Sequence, residues 1–148
     1  MPKITCIKGI GPGSIQKLSG MGIKATSDLL QKGALPNKRK EIAAELGVEP
    51  SSVLNWVIQC DFYRIKPMKS EYVDLMFASG ITTATELGCF DLNTLYQRLA
   101  GTNSRKHLVE QLPSEKCLAD WINQAEDLPS VIWFDGLYCL DMDNPEKV

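Results

Sequence analysis

The chain has 148 residues, of which 44% are hydrophobic and 23% are charged, and its formal net charge is −2. This composition is typical of a globular domain and excludes a chain that is disordered throughout. No apolar run approaches the roughly 18 residues of a membrane span, so we expect no membrane partner. The first residues show no apolar stretch of signal-peptide length, and the five cysteines form no Cys-x-x-Cys pair. We therefore expect a cytoplasmic protein with reduced thiols.

Residue types that carry catalysis are sparse. The single histidine, His107, follows Arg105 and Lys106 and is expected to be a surface or half-buried helix residue. The cysteines lack the spacing of zinc ligands, and neither a phosphate-binding loop nor a nucleophile elbow is present. Because no nucleophile and base are visible together, we predict that the chain is not an enzyme. We expect no catalytic residue, no metal and no cofactor.

Charge is distributed unevenly along the chain. Residues 1–70 contain 11 basic and 5 acidic residues, a net charge of +6. Residues 71–148 contain 5 basic and 13 acidic residues, a net charge of −8. Such an asymmetry indicates a polyanionic partner for the basic half. The same pattern would also support head-to-tail docking of two copies.

The sequence contains an internal repeat. Residues 7–30 align without a gap to residues 65–88 at an offset of 58. Residues 53–59 likewise resemble residues 118–124, and each segment carries a tryptophan at its fourth position. The chain therefore contains two copies of a unit of about 60 residues.

The repeat predicts the domain organisation. We expect units at about residues 1–63 and 64–128, packed against each other as one domain over residues 1–128, because either unit alone would be marginally stable. Residues 129–148 form an apolar and acidic tail. The predicted fold class is all-α, with two pseudo-repeated units packed as one domain and a short β-prone C-terminal tail.

Helical periodicity is present in both units. In the first unit we predict a helix ending at Gly22, a short helix with Thr26 or Ser27 as its N-cap that ends near Gly33, a helix over Lys38–Leu46, and a helix capped by Ser51 and Ser52. In the second we predict a helix from Tyr72 towards Gly80, then helices over Thr83–Leu87, Leu92–Ala100, Lys106–Leu112 and Ser114–Glu126. The predicted core comprises Ile7, Ile15, Leu18, Ile23, Leu29, Val53, Trp56, Ile65, Val73, Met76, Ile81, Leu87, Leu118, Trp121 and Ile122.

The tail departs from the helical pattern. Two β-prone runs on either side of Asp135-Gly136 predict a hairpin. A lone hairpin is marginally stable in water, so its aromatic residues are expected to pack on the helical body or to bind a partner protein. The candidate partner-binding residues are Trp133, Phe134 and Tyr138.

The most informative motif is GIGPGSIQKL at residues 9–18. Its glycines permit backbone angles that other residues avoid, and a branched side chain at Gly11 is expected to strain the turn. Pro12 suits the first turn of a helix, whose unpaired amides and dipole favour an anion. The segment resembles the hairpin of helix-hairpin-helix proteins. That resemblance implies contact between backbone amides and a DNA phosphate, without recognition of base sequence.

The second copy lacks these glycines, since Pro67 replaces Gly9 and Lys69 replaces Gly11, so its hairpin is expected to be structural. The overall plan of residues 4–128 resembles a tandem helix-hairpin-helix family, known mainly from bacteria and catalogued as a domain of unknown function. The resemblance and the local charge give ten candidate nucleic-acid-binding residues: Lys8, Gly9, Gly11, Gly13, Ser14, Lys17, Lys24, Lys38, Arg39 and Lys40.

A second DNA-binding pattern overlaps the first unit. Residues 41–56 resemble a helix-turn-helix, which would place Ser51, Ser52, Leu54 and Asn55 in a major groove. None of these four residues is basic, so we favour the first hairpin as the nucleic-acid contact.

Two functions therefore follow from the sequence. The first is a non-catalytic module that binds the nucleic-acid backbone through the first hairpin. The second is a protein-interaction or scaffold module, with a protein partner or self-association, that kept the fold and lost DNA binding.

Overall fold

The structure is a computed structural model and describes residues 3–133. These residues divide into two compact units. Unit 1 comprises residues 3–60 together with residues 130–133, and unit 2 comprises Asp61–Pro129. The described part of the chain is mostly helical and contains no sheet, since its one β-type pairing is an isolated bridge between Lys3 and Ala25. The all-α prediction is confirmed for these residues.

The helices follow one another with short connections. Unit 1 contains a 3₁₀ turn (Ile4–Cys6), α1 (Pro12–Gly20), α2 (Thr26–Lys32), α3 (Pro36–Leu46) and α4 (Pro50–Phe62), whose last two residues belong to unit 2. Unit 2 contains α5 (Ser70–Ala78), α6 (Ala84–Leu87), α7 (Leu92–Lys106) and α8 (Glu115–Glu126). No helix within residues 3–133 combines the length and apolar character needed to cross a membrane.

Helices α1 and α5 end in the same way. Gly22 has a φ of +84° and Gly80 a φ of +87°, a left-handed conformation that favours glycine. The Ile23 amide then donates to the Leu18 carbonyl at 2.9 Å, and the Ile81 amide donates to the Met76 carbonyl at 3.0 Å. The prediction that α1 ends at Gly22 is confirmed, and the equivalent turn lies 58 residues later, at the offset of the sequence repeat.

Several helix starts differ from the prediction. Helix α2 is preceded by Ala25 as its N-cap, not by Thr26 or Ser27. The capping role passes to Asp28, whose carboxylate accepts from the Lys24 and Ala25 amides at 3.1 Å each. Helices α3 and α4 begin earlier than predicted, at Pro36 and Pro50. Proline is well suited to a first helical turn, where its missing N–H leaves no bond unmade.

The predicted helix over Lys106–Leu112 is absent. Helix α7 instead continues to Lys106 and ends at His107, which adopts a left-handed conformation with a φ of +49°. The Asn103 side chain fixes the following loop by donating to the Val109 carbonyl and accepting from the Val109 amide, both at 3.0 Å. These two bonds replace the helical hydrogen bonds that the apolar spacing had predicted.

Most of the predicted core is buried, and both tryptophans are within it, with Trp56 4% exposed and Trp121 fully buried. Two predictions were wrong, since Ile15 and Ile122 are only half-buried. In α1 the buried stripe is limited to Leu18. Ile122 lies beside the buried face of α8 that carries Trp121, because adjacent helical residues point in different directions.

Candidate nucleic-acid interface

The first hairpin is attached to α4 by one glutamine. The Gln59 side chain accepts from the Lys8 amide at 2.9 Å and donates to the Lys8 carbonyl at 3.0 Å. The next residue, Gly9, has a φ of +94°, and a Cβ there would lie 3.4 Å from Nε1 of Trp56. The positive φ therefore favours glycine at position 9, whereas a Cβ there would make only an ordinary van der Waals contact with Trp56. Gln59 was assigned no role from the sequence, although a glutamine recurs three residues after each repeated tryptophan.

The hairpin leads into an open helix terminus. Gly11 is the N-cap of α1 and has no side chain to accept from the first-turn amides, while Pro12 lies in the first turn. Gly11 and Gly13 are exposed and Ser14 is half-buried. The first amides of a helix have no acceptor within the helix, so the Gly13 and Ser14 amides provide positive potential at this surface.

Gly11 contributes through its missing side chain and not through an unusual backbone. Its φ of −76° and ψ of 164° are accessible to any residue, and a Cβ built there meets nothing within 4 Å. The expected strain from a branched residue at position 11 is therefore wrong. Conformational strain belongs to Gly9, two residues earlier.

All five candidate lysines are at the surface of unit 1. Lys8, Lys17, Lys24, Lys38 and Lys40 are all exposed. Lys17 lies in the last turn of α1, so it is about five residues, roughly 7–8 Å of helical rise, from Pro12. The Lys38 ammonium is 3.7 Å from the Glu41 carboxylate on the same helix, a surface ion pair of small energetic weight.

Arg39 does not belong to this surface. Its side chain is buried, with 2% exposure, and its guanidinium donates to the Gly33 carbonyl at 2.8 Å, to the Ala34 carbonyl at 3.0 Å and to the Trp133 carbonyl. A phosphate outside the protein cannot reach this group, so the assignment of Arg39 as a nucleic-acid contact was wrong. Arg39 instead joins the start of α3 to the last described residue.

We expect Arg39→Gln to lower the free energy of unfolding by about 1–3 kcal/mol, because it leaves buried carbonyls without a charged donor. Urea denaturation followed by circular dichroism would measure the change. The exposed neighbour Lys40 provides the control, since Lys40→Gln should leave stability within about 0.5 kcal/mol of the wild type. Equal effects of the two substitutions would contradict the structural role of Arg39.

The second hairpin is covered by side chains of its own unit. The Gln124 side chain contacts the Lys66 amide and carbonyl, as Gln59 contacts those of Lys8. The Trp121 indole donates to the Pro67 carbonyl at 3.1 Å and packs edge-on against Tyr72, with ring centroids 5.4 Å apart.

The helix after this hairpin is less suited to an anion than α1. Helix α5 has Lys69 as its N-cap and Glu71 in its first turn, whereas the first turn of α1 has no acidic residue. The Lys69 ammonium lies 5.8 Å from the centre of the Tyr72 ring. Neither helix start has a side-chain cap, but a carboxylate at the start of α5 repels a phosphate, so of the two hairpins only the first leads into a helix start without an acidic residue.

Residues of the alternative helix-turn-helix site are partly buried or hydrogen-bonded within unit 1. Ser52 and Leu54 are half-buried, and Ser51 and Asn55 are exposed. The Asn55 side-chain oxygen accepts from Gln59 Nε2 at 2.9 Å, so Asn55 supports the glutamine that holds the first hairpin. In unit 2, Gln124 makes the same contact with Asp120.

Unit 2 contains a buried ion pair. One oxygen of Asp61 accepts from the Ala84 amide at 2.8 Å, at the start of α6, and the other lies against the Arg64 guanidinium. Arg64 also donates to the Pro129 carbonyl at 2.9 Å. Burial raises the pKa of the Asp61 carboxyl, although Arg64 and the Ala84 amide act in the opposite direction.

This pKa has a consequence for stability. A carboxyl whose folded-state pKa is raised contributes stability below its unfolded pKa, and that contribution is lost as pH rises through the folded pKa. We therefore expect the stability of the wild type relative to Asp61→Asn to decrease as pH rises from about 4. Thermal unfolding of both proteins at a series of pH values would measure this difference. A pH-independent difference would contradict the assignment.

No group of three or more potential metal ligands occurs within residues 3–133. His107 is exposed.

Trp133 is half-buried, and its amide donates to the Ala34 carbonyl at 2.8 Å. The predicted tail hairpin begins in residues 131–133, which have no regular secondary structure, and Phe134 and Tyr138 lie outside the described residues.

Comparison with known proteins adds one finding. The family model described as "Domain of unknown function (DUF4332)" matches residues 8–128. The chain belongs to the DUF4332 family. The DUF4332 match includes both hairpins and ends before the tail. No curated protein and no solved structure matches the chain.

Proposed function

We propose that this DUF4332 protein is a non-catalytic module that binds the nucleic-acid backbone without recognising base sequence. The first hairpin and the start of α1 provide the phosphate contact. In this proposal the two units are helix-hairpin-helix-like repeats, of which only the first has kept its binding surface.

Repeated hydrogen bonds support the relation between the units. In each unit a glutamine of the long helix holds the backbone of the residue before the hairpin turn, Gln59 at Lys8 and Gln124 at Lys66. A tryptophan three residues before that glutamine lies against the next hairpin residue, which is Gly9 in unit 1 and Pro67 in unit 2. Such agreement in polar detail is hard to obtain from unrelated helix packing.

The observation that carries the proposal is the contrast between the two hairpins. Gly11 leaves the start of α1 open, exposed and without an acidic neighbour in the first turn. Its counterpart at the start of α5 carries Lys69 as N-cap and Glu71 within the first turn. An uncapped helix terminus with glycines on either side of proline suits close approach of a phosphate oxygen.

The charge of unit 1 supports the same partner. Residues 3–60 contain eight basic and four acidic side chains, whereas residues 61–129 contain seven basic and ten acidic side chains. With Arg39 excluded, the basic residues of unit 1 are all lysines, which bind phosphate as point charges and do not form the bidentate contacts that read guanine. This composition fits backbone binding of modest affinity.

We expect the wild type to bind duplex or single-stranded DNA or RNA with a Kd on the order of 10⁻⁴ to 10⁻⁶ M, weakening steeply as salt is added. Lys17→Glu should reduce the affinity for every sequence alike and should lower the salt slope by about 1, because a phosphate contact carries no base information. Fluorescence anisotropy with labelled oligonucleotides of two unrelated sequences would measure both effects.

The matched control is Lys116→Glu, an exposed charge reversal in α8 of unit 2. Both variants change the net charge equally, so a difference between them reports location and not total charge. An equal loss of affinity would contradict a site in unit 1. Absence of salt-dependent binding by the wild type to DNA and RNA at low ionic strength would refute the nucleic-acid function.

A protein-interaction module is the second candidate. The observation in its favour is a groove of about 840 Å³ in unit 1, where Leu35 is 43% exposed. If the nucleic-acid function is refuted, the scaffold function takes its place, and the lysines of unit 1 become a surface for an acidic protein.

A further inference from the structure

The groove in unit 1 is formed by the end of α1, by α2 and by one face of α3. Its apolar lining includes Met21, Leu35 and Ile42, and its basic lining includes Lys32 and Lys38. Leu35 precedes α3 as its N-cap residue, where a polar side chain is usually preferred. An exposed leucine at this position has no role in capping the helix, which suggests a role in contact.

The described chain ends beside this groove. The Trp133 amide donates to the Ala34 carbonyl at 2.8 Å, and the Trp133 carbonyl accepts from the Arg39 guanidinium. Ala34 is directly followed by Leu35, which lines the groove. The backbone of Trp133, the last described residue, is therefore held at both its amide and its carbonyl by residues that neighbour the groove residues Leu35 and Lys38 in sequence.

The sequence after Trp133 has the composition that such a groove would bind. Residues 134–140 read FDGLYCL, and Phe134, Leu137 and Tyr138 supply large apolar side chains. Seven extended residues reach about 23–25 Å. The part of α3 that lines the groove runs from Lys38 to Glu45 and rises only about 10 Å. The segment is long enough to follow the groove from end to end.

Charge indicates the direction in which the segment would run. Lys32 ends α2 and Lys38 lies in the first turn of α3, so both lysines lie at the end of the groove next to Ala34, where Lys38 also pairs with Glu41 at 3.7 Å. Glu41 and Glu45 line the groove one and two turns further along α3. The acidic residue of the segment, Asp135, comes two residues after Trp133, and the next five residues carry no charge.

We propose that residues 134–140 of the same chain occupy this groove, with their apolar side chains on Leu35 and Met21 and Asp135 beside the two lysines. The segment then covers the apolar surface of unit 1 that is exposed at Leu35. The groove shares Lys38 with the candidate nucleic-acid residues but includes no residue of the first hairpin, so the proposal does not rest on the nucleic-acid function.

Thiol alkylation tests the proposal. In Leu35→Cys the introduced thiol reports access to the groove, and in Phe77→Cys it reports access to an exposed site of unit 2. The two parent side chains are matched, at 43% and 44% exposure. Both substitutions are made in the full chain, and peptide mapping by mass spectrometry separates their modification from that of the native cysteines.

We expect the thiol at position 35 to react about tenfold faster when Phe134, Leu137 and Tyr138 are all replaced by serine, because a docked segment permits alkylation only while it is open. The thiol at position 77 should react at the same rate whether residues 134–140 are wild-type or carry the three serine substitutions. Dilution of the protein should not alter the protection, since the contact lies within one chain.

Three results would overturn the proposal. Equal alkylation rates at position 35 with the wild-type and the serine-substituted residues 134–140 would show that these residues do not cover the groove. Equal acceleration at positions 35 and 77 would show a general loss of structure. Protection that disappears on dilution would assign the groove to the segment of a second copy.

Discussion

Replacing Trp121 by alanine should lower the free energy of unfolding by about 3–5 kcal/mol, a large part of the stability of a domain this size. Trp121 is fully buried, packs edge-on against Tyr72 and donates its indole N–H to the Pro67 carbonyl. The substitution removes the largest buried side chain of unit 2 and leaves a cavity beneath the second hairpin. Urea denaturation followed by circular dichroism would measure the loss.

Phe77→Ala is the control, because Phe77 lies in the same unit and is 44% exposed. Its removal should change stability by less than about 0.5 kcal/mol. Trp121→Phe should fall between the two, since it keeps most of the apolar volume and loses the bond to Pro67. If Trp121→Ala were no worse than Phe77→Ala, the packing described for the second hairpin would be incorrect.

The second large effect is expected at the buried ion pair. Asp61→Ala should destabilise the protein by about 3–5 kcal/mol, because it leaves the Arg64 guanidinium buried without its counter-charge. The same substitution removes the acceptor of the Ala84 amide at the start of α6. Chemical denaturation at neutral pH would measure this effect.

A double substitution separates the two causes. Asp61→Ala combined with Arg64→Met removes both charges, so it should recover part of the stability lost by Asp61→Ala alone. Asp127→Ala is the matched control, an exposed carboxylate at the end of α8. Failure of the double variant to recover stability would show that the ion pair contributes less than the bond to Ala84.

Helix ends and core positions were the most predictable part of the fold. Gly22, Gly47 and Gly80 each follow an apolar helical stripe in the sequence, and each has a positive φ at a helix terminus. Glycine is the residue that adopts this conformation without cost, so the sequence and the backbone carry the same information. The prediction of a helix over Lys106–Leu112 was wrong because the Asn103 side chain fixes a loop there through its hydrogen bonds to Val109.

The candidate site was less predictable, since a basic residue in a sequence does not reveal which way it points. Arg39 was grouped with Lys38 and Lys40 by adjacency. Its spacing to Ile42 and Leu46 nevertheless places it at i, i+3 and i+7 on the buried face of α3. Helical periodicity applied to charged residues as well as apolar ones would have assigned Arg39 to the interior.

In the sequence, the polar contacts that hold the hairpins were indicated only by a glutamine that recurs in both repeats. Gln59 and Gln124 occupy equivalent positions in the two copies, and each binds the backbone of a lysine about 50 residues or more away. Contacts of this range cannot be derived from local pattern. Agreement between two internal copies was the one signal that could have indicated them.

The most direct measurement follows the backbone amides of both hairpins by ¹⁵N NMR while a short DNA duplex is added at low salt. A phosphate site in the first hairpin should produce chemical-shift changes for the Gly13 and Ser14 amides that saturate and that reverse when salt is added, with no such change at Ser70 and Glu71. Undisturbed amides at Gly13 and Ser14, or larger changes at the start of α5 than at the start of α1, would contradict a phosphate site in the first hairpin.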